Sequence, residues 1–175
     1  MCVHDIIEYV CSSKPNNIAL VLGDKHISYS ELNKKVDILA NYLIKRGVEK
    51  GCSQVSAIYL YYLGELVILY LRRSFEMIYT ILAILKVGAT IVPITSDFGK
   101  ERINAIIQES KAPYVVTSND LKSIFDSEIT IIDVNEALSS SNSDITFESR
   151  HIDLKSLLYV IYTSGTQLGF KSLNC

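Results

Sequence analysis

The chain has 175 residues, with 17 Lys and Arg against 19 Asp and Glu, for a net charge of −2. Hydrophobic residues make up 49% and charged residues 21%, which excludes a disordered chain, because such chains have too little apolar surface to fold. The balanced charge excludes a basic nucleic-acid binder, and the length suits one domain able to bury its own core.

The four cysteines, at positions 2, 11, 52 and 175, form no CxxC pair, so no metal site is expected. The amino terminus, Met-Cys-Val-His-Asp-Ile-Ile-Glu, has neither a basic region nor an apolar core of a secretory leader. A cytoplasmic location with reduced thiols is therefore expected.

Residues 5–11 read as a short helix with Ile6, Ile7 and Val10 on one face. Ile18–Leu22 reads as a strand and Gly23–His26 as the turn after it. Ile27-Ser-Tyr29 starts a second strand feeding a helix, which Ser28 or Ser30 can cap. That helix body spans about Glu31 to Arg46, because Leu32, Val36, Leu39, Ala40, Leu43 and Ile44 recur at helical spacing. Lys45-Arg46-Gly47 ends it with basic residues near the negative pole and then a glycine.

Two long apolar runs follow, Val55–Leu71 and Phe75–Ile94, and together they fit a small membrane hairpin as an alternative. Two features oppose it. Glu65 would lie inside the first span, at a cost of about 2–3 kcal/mol or more, and Arg72-Arg73-Ser74 is a very short link. Buried parallel strands also read as unbroken apolar runs, so two strands followed by a helix are expected. Ser74 caps that helix, which runs through Lys86 and ends at Gly88. Ala89–Ile94 is a strand, Thr95–Phe98 a loop, and 100–109 a helix with Ile103, Ile106 and Ile107 inward. Pro113 stops it before the strand Tyr114–Thr117; Asn119 is expected to cap a short helix over 121–125. A strand at Ile129–Ile132, a brief helix at Asn135–Leu138 and a Ser-rich linker at 139–143 lead to a strongly apolar, buried strand at Leu157–Tyr162. Strands and helices alternating at this interval predict an α/β fold with a largely parallel sheet and flanking helices.

The last strand runs directly into Thr163-Ser164-Gly165-Thr166. Small hydroxyl residues and a glycine after a strand let backbone N–H groups and hydroxyls converge on an anion. Lys171 can add a positive charge nearby. Taken alone, the segment reads more readily as an ordinary Ser/Gly turn than as a phosphate cradle.

Leu158-Tyr-Val-Ile-Tyr-Thr-Ser-Gly-Thr166 resembles the phosphate-loop motif of the adenylate-forming enzymes, in particular the adenylation domains of nonribosomal peptide synthetases. Ile27-Ser-Tyr-Ser-Glu-Leu32 resembles the first core motif of that family. Ile84-Leu-Lys-Val-Gly-Ala-Thr-Ile-Val-Pro-Ile94 resembles its second. The motifs stand in the family's order, and the resemblance spans about residues 4 to 166.

The resemblance implies an incomplete, N-terminal portion of an adenylation-domain fold over 1–166. It implies use of ATP and Mg²⁺ to activate a carboxylic or amino acid as an acyl-adenylate. It also implies, for the full-length enzyme, transfer to a carrier-protein phosphopantetheine or to coenzyme A. Thr163, Ser164, Gly165 and Thr166 carry over as the ATP phosphate-binding loop, with Lys171 at the position of the family lysine; no catalytic residue carries over. Tyr29, Glu31, Lys86 and Gly88 are expected to be structural.

The sequence departs from the family at two places. Gln167-Leu168 replace Thr-Gly, and 167–175 reads as a divergent tail. Residues 52–66 read as an insertion or a gene-model artefact, because Ala57–Leu60 and Ile68–Leu71 are two similar stretches where the family has one strand. The segments that form the rest of the family's site have no counterpart, so the chain is expected to be inactive alone and to bind no cofactor tightly. Apolar helix faces and a sheet edge that later parts of the family's fold cover are expected to lower its solubility. A non-catalytic remnant that binds a partner is the second alternative.

Overall fold

The computed structural model describes residues 3–48, 65–126, 129–140, 147, 152, 156–162 and 170–174. In chain order these form α1 (Val3–Ser13), β1 (Ile18–Leu22), β2 (Lys25–Ser28), α2 (Tyr29–Lys45), β3 (Leu66–Tyr70), α3 (Phe75–Val87), β4 (Thr90–Pro93), α4 (Lys100–Ser110), β5 (Tyr114–Thr117), β6 (Thr130–Asp133), α5 (Val134–Ser139), β7 (Leu157–Tyr162) and β8 (Phe170–Asn174).

β1 and β2 pair antiparallel as a separate hairpin. The main sheet has the order β6-β5-β3-β4-β7-β8. Its first five strands are parallel, and β8 pairs antiparallel with β7. Side chains of β3 alternate between the two faces, as the two-residue period of a strand requires. Val67 and Leu69 join the cluster built by α2, α3 and α5. Ile68 and Tyr70 join the cluster built by α4. The sheet is thus covered on both faces, which explains why its central strands are apolar without alternation.

The helix boundaries follow from local chemistry. Ser28, not Ser30, caps α2: its hydroxyl accepts from the Glu31 N–H at 3.2 Å, and Glu31 accepts back from the Ser28 N–H at 2.8 Å. This reciprocal pair satisfies two orphan donors of the first turn. Ser74 caps α3, and Gly88 ends it at φ 82°, a left-handed conformation that favours glycine. Phe75–Ile94 is thereby split into a helix and a strand, and no helix of the described residues is long and apolar enough to cross a membrane.

Several expectations need correction. Asn119 caps no helix; the segment holds only a 3-10 turn at Lys122–Ile124 with no side-chain cap. α5 is capped by Asp133, whose carboxylate accepts from the N–H groups of Asn135 and Glu136. β7 is less buried than its apolar sequence suggests: only Val160 is fully inside, and Ile161 is 38% exposed. Leu158 and Tyr159 pack only partly against the cluster of α2 and α3, and Tyr162 only partly against that of α4. Of the two similar stretches, Ile68–Leu71 supplies β3 and the residue after it, while Ala57–Leu60 lies outside the described residues.

An ion cluster joins three helices beneath the sheet. The Lys86 ammonium, 3% exposed, lies 2.6 Å from Asp37 and 3.4 Å from Glu8, and 5.5 Å from the centre of the Phe147 ring. Glu8 belongs to α1, Asp37 to α2 and Lys86 to α3, so the cluster fixes how α1 docks. His4 is buried beside it, and burial lowers its pKa despite the nearby Asp5 and Glu8 carboxylates. Cys11 is a buried free thiol whose pKa burial raises.

Candidate functional site

The carboxyl ends of the parallel strands define where a ligand can meet this sheet. After β3 the chain turns into α3, which packs with α2 on one face. After β4 it turns into α4, on the opposite face. The two crossovers therefore diverge between adjacent strands at the carboxyl edge. Such switch points are the usual ligand sites of open α/β sheets.

β7 lies directly beside β4, with Tyr159 paired to Ile91. Its carboxyl end, Tyr162, therefore opens at the same edge. Tyr162 also pairs with Phe170 of β8, so residues 163–169 connect two strand ends held side by side. The candidate loop Thr163, Ser164, Gly165 and Thr166 lies outside the described residues, but the strands that anchor it are described. Lys171 is part of β8, its backbone paired with Ile161, one residue in from the strand mouth. Lys171 and the loop thus share one hairpin. β8 was not foreseen as a strand.

Other groups at this edge come from the loops after β3 and β5. Arg72 donates to Asp120 at 2.7 Å, and the Ser118 hydroxyl donates to the other oxygen of that carboxylate at 2.6 Å. The Ser118 bond first, and Arg72 to a lesser degree, hold the Asp120 carboxyl below the usual carboxylate range. The Arg72 and Asp120 side chains are 67% and 55% exposed, so the bond organises two loops rather than stabilising the fold. Tyr162, on the last turn of backbone before the loop, has its phenol pushed up to about 12 by burial and by the charge of Glu109. Among the described residues no group of three His, Cys, Asp or Glu side chains could hold a metal.

Lys86 was expected to be structural, and its buried partner Asp37 is the polar residue that sequence reasoning passed over. The signal was present: Asp37 interrupts the apolar stripe of α2, and Lys86 interrupts an apolar run. An acid and a base each placed on a buried face call for one another.

Comparison with known proteins places these features. A family model described as AMP-binding enzyme matches residues 7–167. Tyrocidine synthase 2 of Brevibacillus parabrevis is 34% identical over 164 residues, covering 94% of this chain and 4% of its own length. Gramicidin S synthase 1 of Brevibacillus brevis is 31% identical over 169 residues, covering 94% of this chain and 14% of its own. The chain thus spans a small part of the curated relatives it matches.

Among solved structures, the N-terminal subdomain of Klebsiella oxytoca NpsA superposes with a TM-score of 0.80 at 22% identity, covering 98% of this chain and 41% of that one. An artificially fused adenylation–PCP di-domain, NpsA-ThdA of the same organism, gives 0.78 at 21% identity, covering 93% and 28%. O-succinylbenzoate coenzyme A synthetase (MenE) of Bacillus subtilis, in complex with AMP, gives 0.77 at 20% identity, covering 96% and 41%. At these identities the structures establish the fold: this chain has the architecture of the N-terminal part of an adenylation domain.

Proposed function

The chain belongs to the AMP-binding enzyme family over residues 7–167, and from that premise we propose that it forms the ATP-phosphate-holding part of a carboxylate-activating enzyme. The observation that carries this reading is the placement of β7. The strand that leads into Thr163-Ser-Gly-Thr166 ends beside β4, at the carboxyl edge where the crossovers diverge.

Thr163, Ser164 and Thr166 offer hydroxyl and N–H donors, and Gly165 has no Cβ to obstruct an anion, so the donor set suits phosphate oxygens. Lys171 is the cation nearest in sequence and shares the hairpin. When bound, ATP would supply an adenylyl group, the acid's carboxylate bonding to the α-phosphorus as pyrophosphate leaves, and Mg²⁺ would accompany the phosphates. The chain's own contribution is to hold the phosphates where charge develops as a carboxylic or amino acid attacks. The acceptor is a carrier-protein phosphopantetheine or coenzyme A. The fusion with PCP and the coenzyme A synthetase among the structural neighbours support either acceptor class.

The chain is inactive alone in this reading, and residues 167–175 diverge from the family's loop: Leu168 adds a side chain where the pattern has glycine. Residues 52–66 are an insertion or artefact relative to the family, and the location is cytoplasmic. Isothermal titration tests the phosphate-holding role. Mg·ATP is expected to bind with a Kd of about 1 mM, about −4 kcal/mol. Gly165→Val is expected to abolish it while leaving the circular dichroism unchanged. Equal binding by that variant contradicts the loop assignment. ATP–pyrophosphate exchange by the unassisted chain contradicts the claim of inactivity.

A further inference from the structure

We propose that residues 118–126 form a strap at the carboxyl end of β3 that opens as a unit and is clipped shut by two exposed ion pairs. Parallel neighbours such as β5 and β6 are usually joined by a crossover helix. Here the connection holds only the 3-10 turn at Lys122–Ile124 among the described residues. The N–H groups of Leu121, Lys122, Ile124 and Phe125 all donate to carbonyls inside the strap, those of Ser118, Leu121 and Lys122. Side chains therefore hold it to the rest of the fold.

Phe125 is its apolar anchor. It is 7% exposed and meets the ring of Tyr70, the last residue of β3, edge to face with ring centres 5.3 Å apart. Leu121 and Ile124 pack only partly on the same cluster. The clips flank Phe125 in sequence. Asp120 accepts from Arg72, in the loop after β3, at 2.7 Å, and Asp126 accepts from Lys100, the first residue of α4, at 3.3 Å. All four side chains are more than half exposed, so salt screens both pairs. Thr117, in register with Tyr70, is fully buried, and its hydroxyl has no partner among the described residues. It directly precedes the strap, so opening admits water to that hydroxyl and costs less for it. Opening also uncovers Tyr70 and frees the Arg72 guanidinium at the edge where the crossovers diverge. This inference does not rest on the function proposed above.

Amide hydrogen exchange on the full chain tests it. The four bonded strap amides are expected to exchange at least about tenfold faster than those of Val115 and Val116 in β5. Raising NaCl from about 10 mM to about 1 M shortens the Debye length from about 30 Å to about 3 Å, and should speed the strap amides about fivefold while leaving α2 unchanged. The double variant Asp120→Asn with Asp126→Asn should show the fast rate already at low salt and respond to salt no further. Phe125→Leu, which removes the ring contact, should speed the strap about fivefold and keep the salt response. Strap amides that exchange only as fast as β5, or that ignore salt in the wild type, overturn the inference. So does a double variant that keeps the wild-type salt response.

Discussion

Asp37→Asn removes one charge from the most buried ionic group of the fold while keeping the side chain's shape. The Lys86 ammonium is 3% exposed and meets Asp37 at 2.6 Å; the remaining acid, Glu8, is 3.4 Å away and 37% exposed. Breaking a buried pair by removing one partner costs about 3–5 kcal/mol, since the other charge stays desolvated. Glu8 compensates in part, which puts the expected loss near the lower end, about 3 kcal/mol. With a urea slope of about 2 kcal/mol per molar, the unfolding midpoint should fall by about 1.5 M. The control is Asp37→Val with Lys86→Met, which replaces the pair by apolar groups. It should lie within about 1 kcal/mol of wild type, because swapping a whole buried pair for apolar packing is often neutral. A loss below about 1 kcal/mol for Asp37→Asn, or a double variant no better than the single one, refutes the reasoning.

Gly47 lies at φ 93°, and an added Cβ would sit 2.9 Å from the Tyr114 hydroxyl oxygen. Gly47→Ala should therefore lose about 1–2 kcal/mol and lower the melting temperature by about 3–6 °C in calorimetry. Ser28→Ala should destabilise α2 by about 1 kcal/mol, read as faster amide exchange in its first turn. Bonds from Ser28 hold the Glu31 carboxyl below its ordinary range, so that protection is complete above the ordinary range and fades as pH falls through the depressed value. The Ser28→Ala variant keeps the backbone N–H donor and loses only the hydroxyl, so it should show a weaker pH dependence. The His4 pKa is lowered by burial, so its neutral form stabilises the fold fully above the ordinary value of 6.5, and the contribution is lost as pH falls below it. Urea unfolding at pH 7 and pH 5 should show the loss in wild type and a smaller one in His4→Asn.

Elements with a start signal, an apolar period and a stop signal were legible in the sequence. α3 is the clearest case: Ser74 begins it, Gly88 ends it, and the intervening stripe is continuous. α2 was legible to within two residues, and Glu31 three places after Ser28 was the cue for the reciprocal cap. The short elements were not. Asn119 and Asp133 are both capable caps, and only the tertiary position of β6 decides that Asp133 acts as one. β7 read as buried because composition reports apolarity, not the presence of a neighbour to cover it. β8 was missed because Gln167 and Leu168 break the family pattern just before it, although pairing with β7 requires only backbone groups. The candidate site divides in the same way. The loop residues were proposed from a strand followed by small hydroxyl residues and glycine, and they lie outside the described residues. The bond from the Thr90 hydroxyl to the Leu157 carbonyl was not legible, because a hydroxyl in an apolar strand gives no sign of which carbonyl it meets.

In the proposed function, Thr163–Thr166 hold nucleotide phosphate at the carboxyl edge of the sheet. Amide NMR of the isotopically labelled chain titrated with Mg·ATP tests it most directly. Saturable shifts are expected, concentrated at Thr163, Ser164, Gly165 and Thr166, with smaller ones at the ends of β4 and β7. Shifts confined to other surfaces, or none at millimolar nucleotide, would contradict it.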